Sequence, residues 1–413
     1  MSPGYIHKAL SDRIVLILFV ILTVFVVVSV ALAYTTVLGW DEGSYLSNAQ
    51  YFIGEGENVS FQWPFFTPGL VSLVWILTGE SVFAGRLVSV FFGAASLLVL
   101  YKLCEGKFEN PIYPFAVFAL APLFVFWSSQ IMTEAASFFF LFISLYELQK
   151  DRHLLAGVLI GFTVSVRYML ILFALAVFLN YLLDRNKDVW KYAAGGILGT
   201  MPFFIYSHFW HTGVFSIIAE YLSTDQSWSG FLPHASAENL RIFFYHYIPL
   251  LPAVFLGWRK SPKLERISIV IYSVFVFLFV NVSYYRYWLP ILPFMVFIAY
   301  RGVDRKKFMV FSLIFLISTS FIMYDYYQRR ATCRGELYEA HEFLMGEEGA
   351  VVSSVEWTIT GYRVDRRVFA PWEDYGYFKR YNVTHILTDE ELDYPEEAFY
   401  PDCGYRIYRL QEL

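Results

Sequence analysis

Ile14–Leu38 reads IVLILFVILTVFVVVSVALAYTTVL without one charged residue, and Trp40–Phe52 follows as WDEGSYLSNAQYF. As a helix rising about 1.5 Å per residue, even part of that uncharged run covers a bilayer core of roughly 30 Å. An acidic pair, Asp41 and Glu42, stands directly beyond it. No A-x-A-like cleavage site follows the apolar run and no Arg-rich transit sequence precedes it, so it reads as a retained signal-anchor helix.

The rest of the chain repeats the signal. Of its 413 residues, 57% are hydrophobic, 20% aromatic and only 16% charged, with a mean hydropathy of +0.48. Soluble domains carry about 25% charged residues, so this surface needs lipid around it. A net charge of −5 argues against nucleic acid as a partner. Further apolar segments lie near 84–103, 111–127, 133–149, 154–166, 168–183, 190–206, 241–257, 267–282, 287–300 and 308–324, giving eleven expected spans. The apolar stretch 69–78 is too short to cross and reads as a re-entrant or interfacial helix.

Charge sets the orientation. With eleven spans and a cytoplasmic N-terminus, seventeen of the 31 Lys and Arg fall in cytoplasmic segments, while the long outer loops 35–80 and 207–240 hold none. Fusing 154–183 into one helix would reverse this positive-inside asymmetry for the second half, so two spans are expected there. The sequons at Asn58, Asn281 and Asn382 all fall outside in this topology. The expected architecture is thus an α-helical polytopic membrane domain over 1–324, then a small extracytoplasmic soluble α/β domain over 325–413. Cys333 and Cys403 both lie in that outer domain, where a disulfide is permitted and two separate thiols are equally compatible.

Candidate chemistry gathers at the outer ends of spans. Asp41 and Glu42 sit where a carboxylate can stay ionised and still reach lipid-anchored substrates; the plainer alternative is a helix-capping pair. Glu134, in SSQIMTEAASFFF, enters an almost wholly apolar segment, which is costly without a partner or a role, although a helix dipole also favours it. Arg86, Arg167, Arg241 and Arg286 are the basic residues outside the cytoplasmic set and the tail. Arginine offers a planar fork suited to phosphate oxygens. Arg167 and Arg286 are the stronger candidates for binding an anionic headgroup, whereas for Arg86 structural pairing with one of the acids is favoured. His208 and His211, in YSHFWHTG, are three apart and with a nearby carboxylate could hold a divalent metal, the only cofactor these residues admit. There is no Walker-type loop, no G-x-G-x-x-G and no G-x-S-x-G elbow.

The sequence resembles the GT-C superfamily of membrane glycosyltransferases, particularly the branch with protein O-mannosyltransferases and aminoarabinose lipid A transferases. The resemblance rests on the WDE motif with FFTPGLVSLVWILTG and AGRLVSVFFGA, on Glu134, on HFWHTGVF and on RYWLPILP. It implies transfer of a sugar, with inversion, from a polyprenyl phosphate carrier to an extracytoplasmic protein, glycan or lipid acceptor. It also implies Asp41 as the first-loop catalytic acid, Glu134 as the second, and His211 near a metal position. A strict aspartate pair and a metal triad are not recognisable. Two other readings stand beside it, a lipid or glycan flippase and a non-catalytic subunit of a glycan-assembly complex. A flippase would favour inverted repeats and midplane charges, and the chain shows no repeat.

Overall fold

A computed structural model describes residues 3–56, 64–210, 237–280, 285–331, 334–345, 350–353, 357–363, 368–369, 383–388, 396–400 and 405–409. The sequons at Asn58, Asn281 and Asn382, the cysteines 333 and 403, and His211 lie outside the described residues.

The chain is mostly helical and folds into two compact units, each assembled from separate stretches of sequence. The first comprises 1–32, 89–129 and 133–323; the second comprises 33–88, 130–132 and 324–413. Helix α1 (Pro3–Thr35) begins the first unit and ends in the second. The helices of the expected spans then follow in order: α4 (Val82–Glu105), α5 (Ile112–Ala119) with α6 (Pro122–Ser128), α7 (Glu134–Gln149), α8 (His153–Val166), α9 (Ile171–Leu183), α10 (Val189–Trp210), α11 (Ala237–Tyr247) with α12 (Leu251–Gly257), α13 (Lys263–Phe279), α14 (Leu292–Gly302) and α15 (Arg305–Ala331).

Each expected segment therefore carries a helix, but most of them are short or broken. Among the described residues, Arg13–Thr35, Val82–Glu105 and Arg305–Gln328 are long and apolar enough to cross a membrane. A fourth crossing follows if α11 and α12, bent by 86° at their junction, make one span.

Proline explains the breaks. Ala121 is extended (φ −62°, ψ 120°) because Pro122 excludes the helical conformation from the residue before it. Pro249 follows the end of α11, and Pro290 lies in a 3₁₀ turn, Tyr285–Ile291, that leads into α14. The break at Arg167 has no proline. There the backbone becomes extended (φ −149°, ψ 104°) before a 3₁₀ turn, Tyr168–Leu170, which keeps α8 and α9 separate elements.

The close pairing of α8 and α10 depends on glycine. A Cβ on Gly157 would stand 2.2 Å from the Tyr192 carbonyl oxygen, and one on Gly199 would stand 2.0 Å from that of Val158. Only a hydrogen fits where two helix backbones come that near.

The second unit holds α2 (Trp40–Ile53), α3 (Phe66–Thr78) and a C-terminal α/β layer. With 13 residues, α3 is about 20 Å long, short of a bilayer core. Gly54 stops α2 with a left-handed φ of +81°, a conformation costly for any residue with a Cβ. In the C-terminal layer α16 (Arg334–Met345) and α17 (Trp357–Arg363) accompany β1 (Ala350–Ser353), β2 (Val368–Phe369), β3 (Val383–Thr388), β4 (Glu396–Tyr400) and β5 (Tyr405–Arg409). The sheet order is β2-β1-β3-β5-β4, with β1 parallel to both its neighbours and β5 antiparallel to both of its own. Leu337, Ala340 and Leu344 of α16 bury against Val351, Leu387 and Ile407 of the sheet. Helix α17 packs on α2, so this unit joins residues 33–88 to the C-terminal segment.

Candidate functional site

Two carboxylate–arginine clusters stand out, one in each unit, and their chemistry differs. In the second unit the centre is Glu42, the third residue of α2 and 0% exposed. Its Oε2 accepts the Gly39 N–H at 2.9 Å, the reciprocal half of a capping box that glycine cannot complete from its own side. The same oxygen accepts Arg86 Nη2 at 2.8 Å, while Oε1 accepts Arg86 Nε and the Ile131 N–H, each at 2.9 Å.

Arg86 is equally occupied. Besides those two bonds, its Nη1 donates to the carbonyls of Ala33 (3.0 Å) and Thr36 (2.8 Å), and its Nη2 to that of Val37 (3.2 Å). These bonds occupy all five N–H groups of a guanidinium. A phosphate would find no donor left. The expectation of a phosphate-binding Arg86 gives way to the structural pairing favoured for it, and Glu42 likewise has each oxygen taken twice. What this lock secures is the start of α2, where Asp41 lies in the first turn at 9% exposure.

The first unit places Glu134 at the first position of α7, 1% exposed, where the helix dipole favours a negative charge. Its Oε1 lies 2.6 Å from Arg167 Nη1. That same nitrogen donates to Thr133 Oγ1 at 3.1 Å. Among the described residues the pair goes no further. Arg167 Nε and Glu134 Oε2 have no hydrogen-bond partner, and the contact at Oε1 is an ion pair without hydrogen-bond geometry. Arg167 reaches this position because the chain is extended there, which turns its side chain out of the helical path.

Arg286 lies in the same unit, in the 3₁₀ turn before α14, at 7% exposure. Its guanidinium sits 5.4 Å from the Tyr287 ring centroid and 5.8 Å from that of Trp127 on α6, close enough for cation–π attraction. It also acts electrostatically on Arg167. Tyr272 of α13 lies in the same field, fully buried, with a hydroxyl that has no hydrogen-bond partner among the described residues. Among the described residues this cluster brings two guanidinium groups, Arg167 and Arg286, into the field of the Glu134 carboxylate. Such an arrangement attracts an anion of low charge and can donate to its oxygens.

The remaining candidates fall elsewhere. His208 is exposed near the end of α10, with its ring against Phe209. Among the described residues no three His, Cys, Asp or Glu side chains are grouped to hold a metal ion. Arg241 is exposed and paired with Glu238 one turn earlier. Three residues absent from the sequence reading belong to the clusters: Ile131 through its backbone, Thr133 through its hydroxyl and Tyr272 through its phenol. Only Thr133 carried a signal, as the residue just before Glu134.

Comparison with known proteins bears on the fold. Residues 62–209 match the family described as dolichyl-phosphate-mannose-protein mannosyltransferase. No curated protein matches the chain. Among solved structures, ArnT from Cupriavidus metallidurans bound to undecaprenyl phosphate superposes with a TM-score of 0.73 at 11% identity, over 97% of this chain and 98% of that one. The apo state of the same protein gives 0.69 at 12% identity over the same shares. The archaeal oligosaccharyltransferase AglB from Archaeoglobus fulgidus, in complex with an inhibitory peptide and a dolichol-phosphate, gives 0.55 at 13% identity, over 90% of this chain and 69% of that one. A fold shared almost end to end and a family match over 62–209 agree with the motifs of the first loop: the resemblance to the GT-C membrane glycosyltransferases holds, and this chain carries their fold.

Proposed function

We propose that this protein transfers a sugar, with inversion, from a polyprenyl phosphate carrier to an acceptor on the extracytoplasmic side of the membrane. The observation that carries the reading is the buried Glu134–Arg167 pair, in which Arg167 Nε and Glu134 Oε2 make no hydrogen bond among the described residues, with the Arg286 guanidinium in the same field. Nucleotide sugars are not expected outside the cytoplasm, so a lipid-linked donor is the natural supply. Its phosphate is a good leaving group and needs no general acid. Arg167 and Arg286 bind that phosphate and stabilise the charge developing on it as the glycosidic bond breaks. Asp41 takes the proton from the acceptor hydroxyl as the hydroxyl attacks. Glu134 orients Arg167 and moderates the local charge. A divalent metal, with His211 among its ligands, is a proposed addition that loss of turnover on chelation would support.

In the accompanying topology the chain crosses the membrane eleven times, with the N-terminus cytoplasmic and residues 35–80 and 325–413 outside. The acceptor is a protein, glycan or lipid exposed on that face.

The test is a transfer assay on purified protein in nanodiscs, using a polyprenyl-phosphate-linked sugar and extracytoplasmic acceptors. Sugar appearing on the acceptor, with free polyprenyl phosphate released in equal amount, supports the reading. Movement of the intact donor between leaflets without transfer would replace it with a flippase. Neither transfer nor donor binding would leave a non-catalytic subunit.

A further inference from the structure

Helix α17 is a short element between two layers of the second unit, and each side of it is tied differently. Toward the α/β layer, Thr360 Oγ1 lies 2.9 Å from His341 Nε2 of α16, and the Arg363 guanidinium stands 4.1 Å from the ring centroid of Tyr338 on the same helix. Toward the first outer loop the link is Tyr362. Its ring stacks on Trp75 of α3, with centroids 6.4 Å apart and planes 25° apart. Trp75 is itself fixed, its indole N–H donating to the Ser81 carbonyl at 2.8 Å. The Tyr362 hydroxyl lies in the field of the Glu80 carboxylate, and Glu80 Oε1 accepts Gln50 Nε2 at 2.8 Å. Gln50 lies in the last turn of α2, the helix that opens with Asp41 and Glu42.

Helix α2 is therefore anchored at both ends by unlike means. Its first turn is locked through Glu42 and Arg86, and its last turn is held by Gln50, Glu80 and Tyr362. Of these two anchors, the second is the one that reaches into the C-terminal segment. It is also the weaker one, because the Gln50–Glu80 bond is exposed. Burial, and then the Glu80 carboxylate, push the Tyr362 phenol up, so it stays a neutral donor at physiological pH.

We infer that Tyr362 is a positioning residue for transfer: through Trp75 and Glu80 it lets the C-terminal segment set the orientation of α2, and with it the Asp41 carboxylate. The inference rests on the proposed role of Asp41 as base. A carboxylate that must meet a hydroxyl within hydrogen-bond reach tolerates little rotation of its helix, and a displacement near 1 Å can lower a rate about 10²-fold.

The experiment uses the full-length protein in nanodiscs and two readouts. Tyr362→Ala removes both stack and hydroxyl, while Tyr362→Phe retains the stack. In the transfer assay, Tyr362→Ala is expected to lower kcat at least tenfold with donor Kd within about twofold, and Tyr362→Phe to fall between it and the parent protein. In hydrogen–deuterium exchange, Tyr362→Ala is expected to speed exchange across 46–53 and leave α13 and α14 unchanged. The exchange result does not depend on the chemistry. Faster exchange in α2 of Tyr362→Ala, with a parent protein that transfers no sugar, would keep the anchor and remove the proposed function. Parent-like kcat in Tyr362→Ala, or unchanged exchange in α2, would overturn the positioning role.

Discussion

Glu42–Arg86 and Glu134–Arg167 are the same chemical pair built to different ends. In the first, five N–H groups of one guanidinium meet two carboxylate oxygens and three backbone carbonyls, and two backbone amides complete the carboxylate. In the second, one nitrogen faces one oxygen and a threonine hydroxyl, and Arg167 Nε and Glu134 Oε2 are left without hydrogen bonds among the described residues. A buried ion pair is stable only when its remaining lone pairs and protons are satisfied. A closed pair therefore fixes a backbone, and an open one keeps capacity for something else. The contrast also separates two adjacent acids. The occupied carboxylate of Glu42 is committed to the backbone at the start of α2, so the proposed base is its neighbour Asp41.

The largest expected effect tests that separation. Asp41→Asn keeps the shape and removes the basicity, and should lower transfer by about 10²–10⁴-fold with donor binding and thermal stability retained. Near-normal transfer would take Asp41 out of the mechanism. Next comes the closed pair. Arg86→Ala leaves Glu42 as an uncompensated buried charge and should destabilise the protein by about 3–5 kcal/mol, seen as lost monodispersity and a lowered melting temperature. If Arg86→Ala were stable and merely bound donor weakly, the two pairs would be alike after all.

The open pair should show the reverse pattern. Arg167→Ala and Arg286→Ala should each weaken donor binding by about 10- to 100-fold, the worth of a hydrogen bond to a charged group, with a smaller change in melting temperature. Lysine at either position should restore binding only in part, because the fork is lost. Unchanged donor affinity in folded variants would make both arginines structural. The smallest effect belongs to Glu134→Gln. By removing the charge that opposes Arg167, it should slow turnover several-fold and leave donor affinity within about twofold. A collapse of folding instead would mean that this pair, too, is a lock.

The order of helices was legible because hydropathy is local, and 84–103 or 308–324 announce themselves without knowledge of the fold. Where they break was less so. Proline marks the interruptions at Pro122, Pro249 and Pro290, whereas the break at Arg167 carries no proline and was legible only through the charge asymmetry that separates 154–166 from 168–183. Arg86, Arg167 and Arg286 were visible by their type and their isolation from the clustered lysines. Their partners were harder to read. The choice between Glu42 and Asp41 depends on Arg86, 44 residues after Glu42, and on the Ile131 amide, 89 residues after it, and a backbone donor leaves no trace in side-chain chemistry. One local clue did exist. Gly39 three residues before Glu42 is half a capping box, which assigns Glu42 to the backbone of α2 and so directs the search for chemistry to Asp41.

The Ile131 amide has a consequence for how the protein is made. Residues 130–132 belong to the second unit while their neighbours on both sides belong to the first, so the chain crosses between units and returns within one turn. Glu42 Oε1 accepts the Ile131 N–H from that turn. During synthesis residues 33–88 emerge early, yet this bond to their central carboxylate cannot form until the chain has been extended beyond residue 131. The first loop is thus a late-maturing part made early. Any truncation or insertion that delays the arrival of 130–132 should lengthen its exposure to proteases.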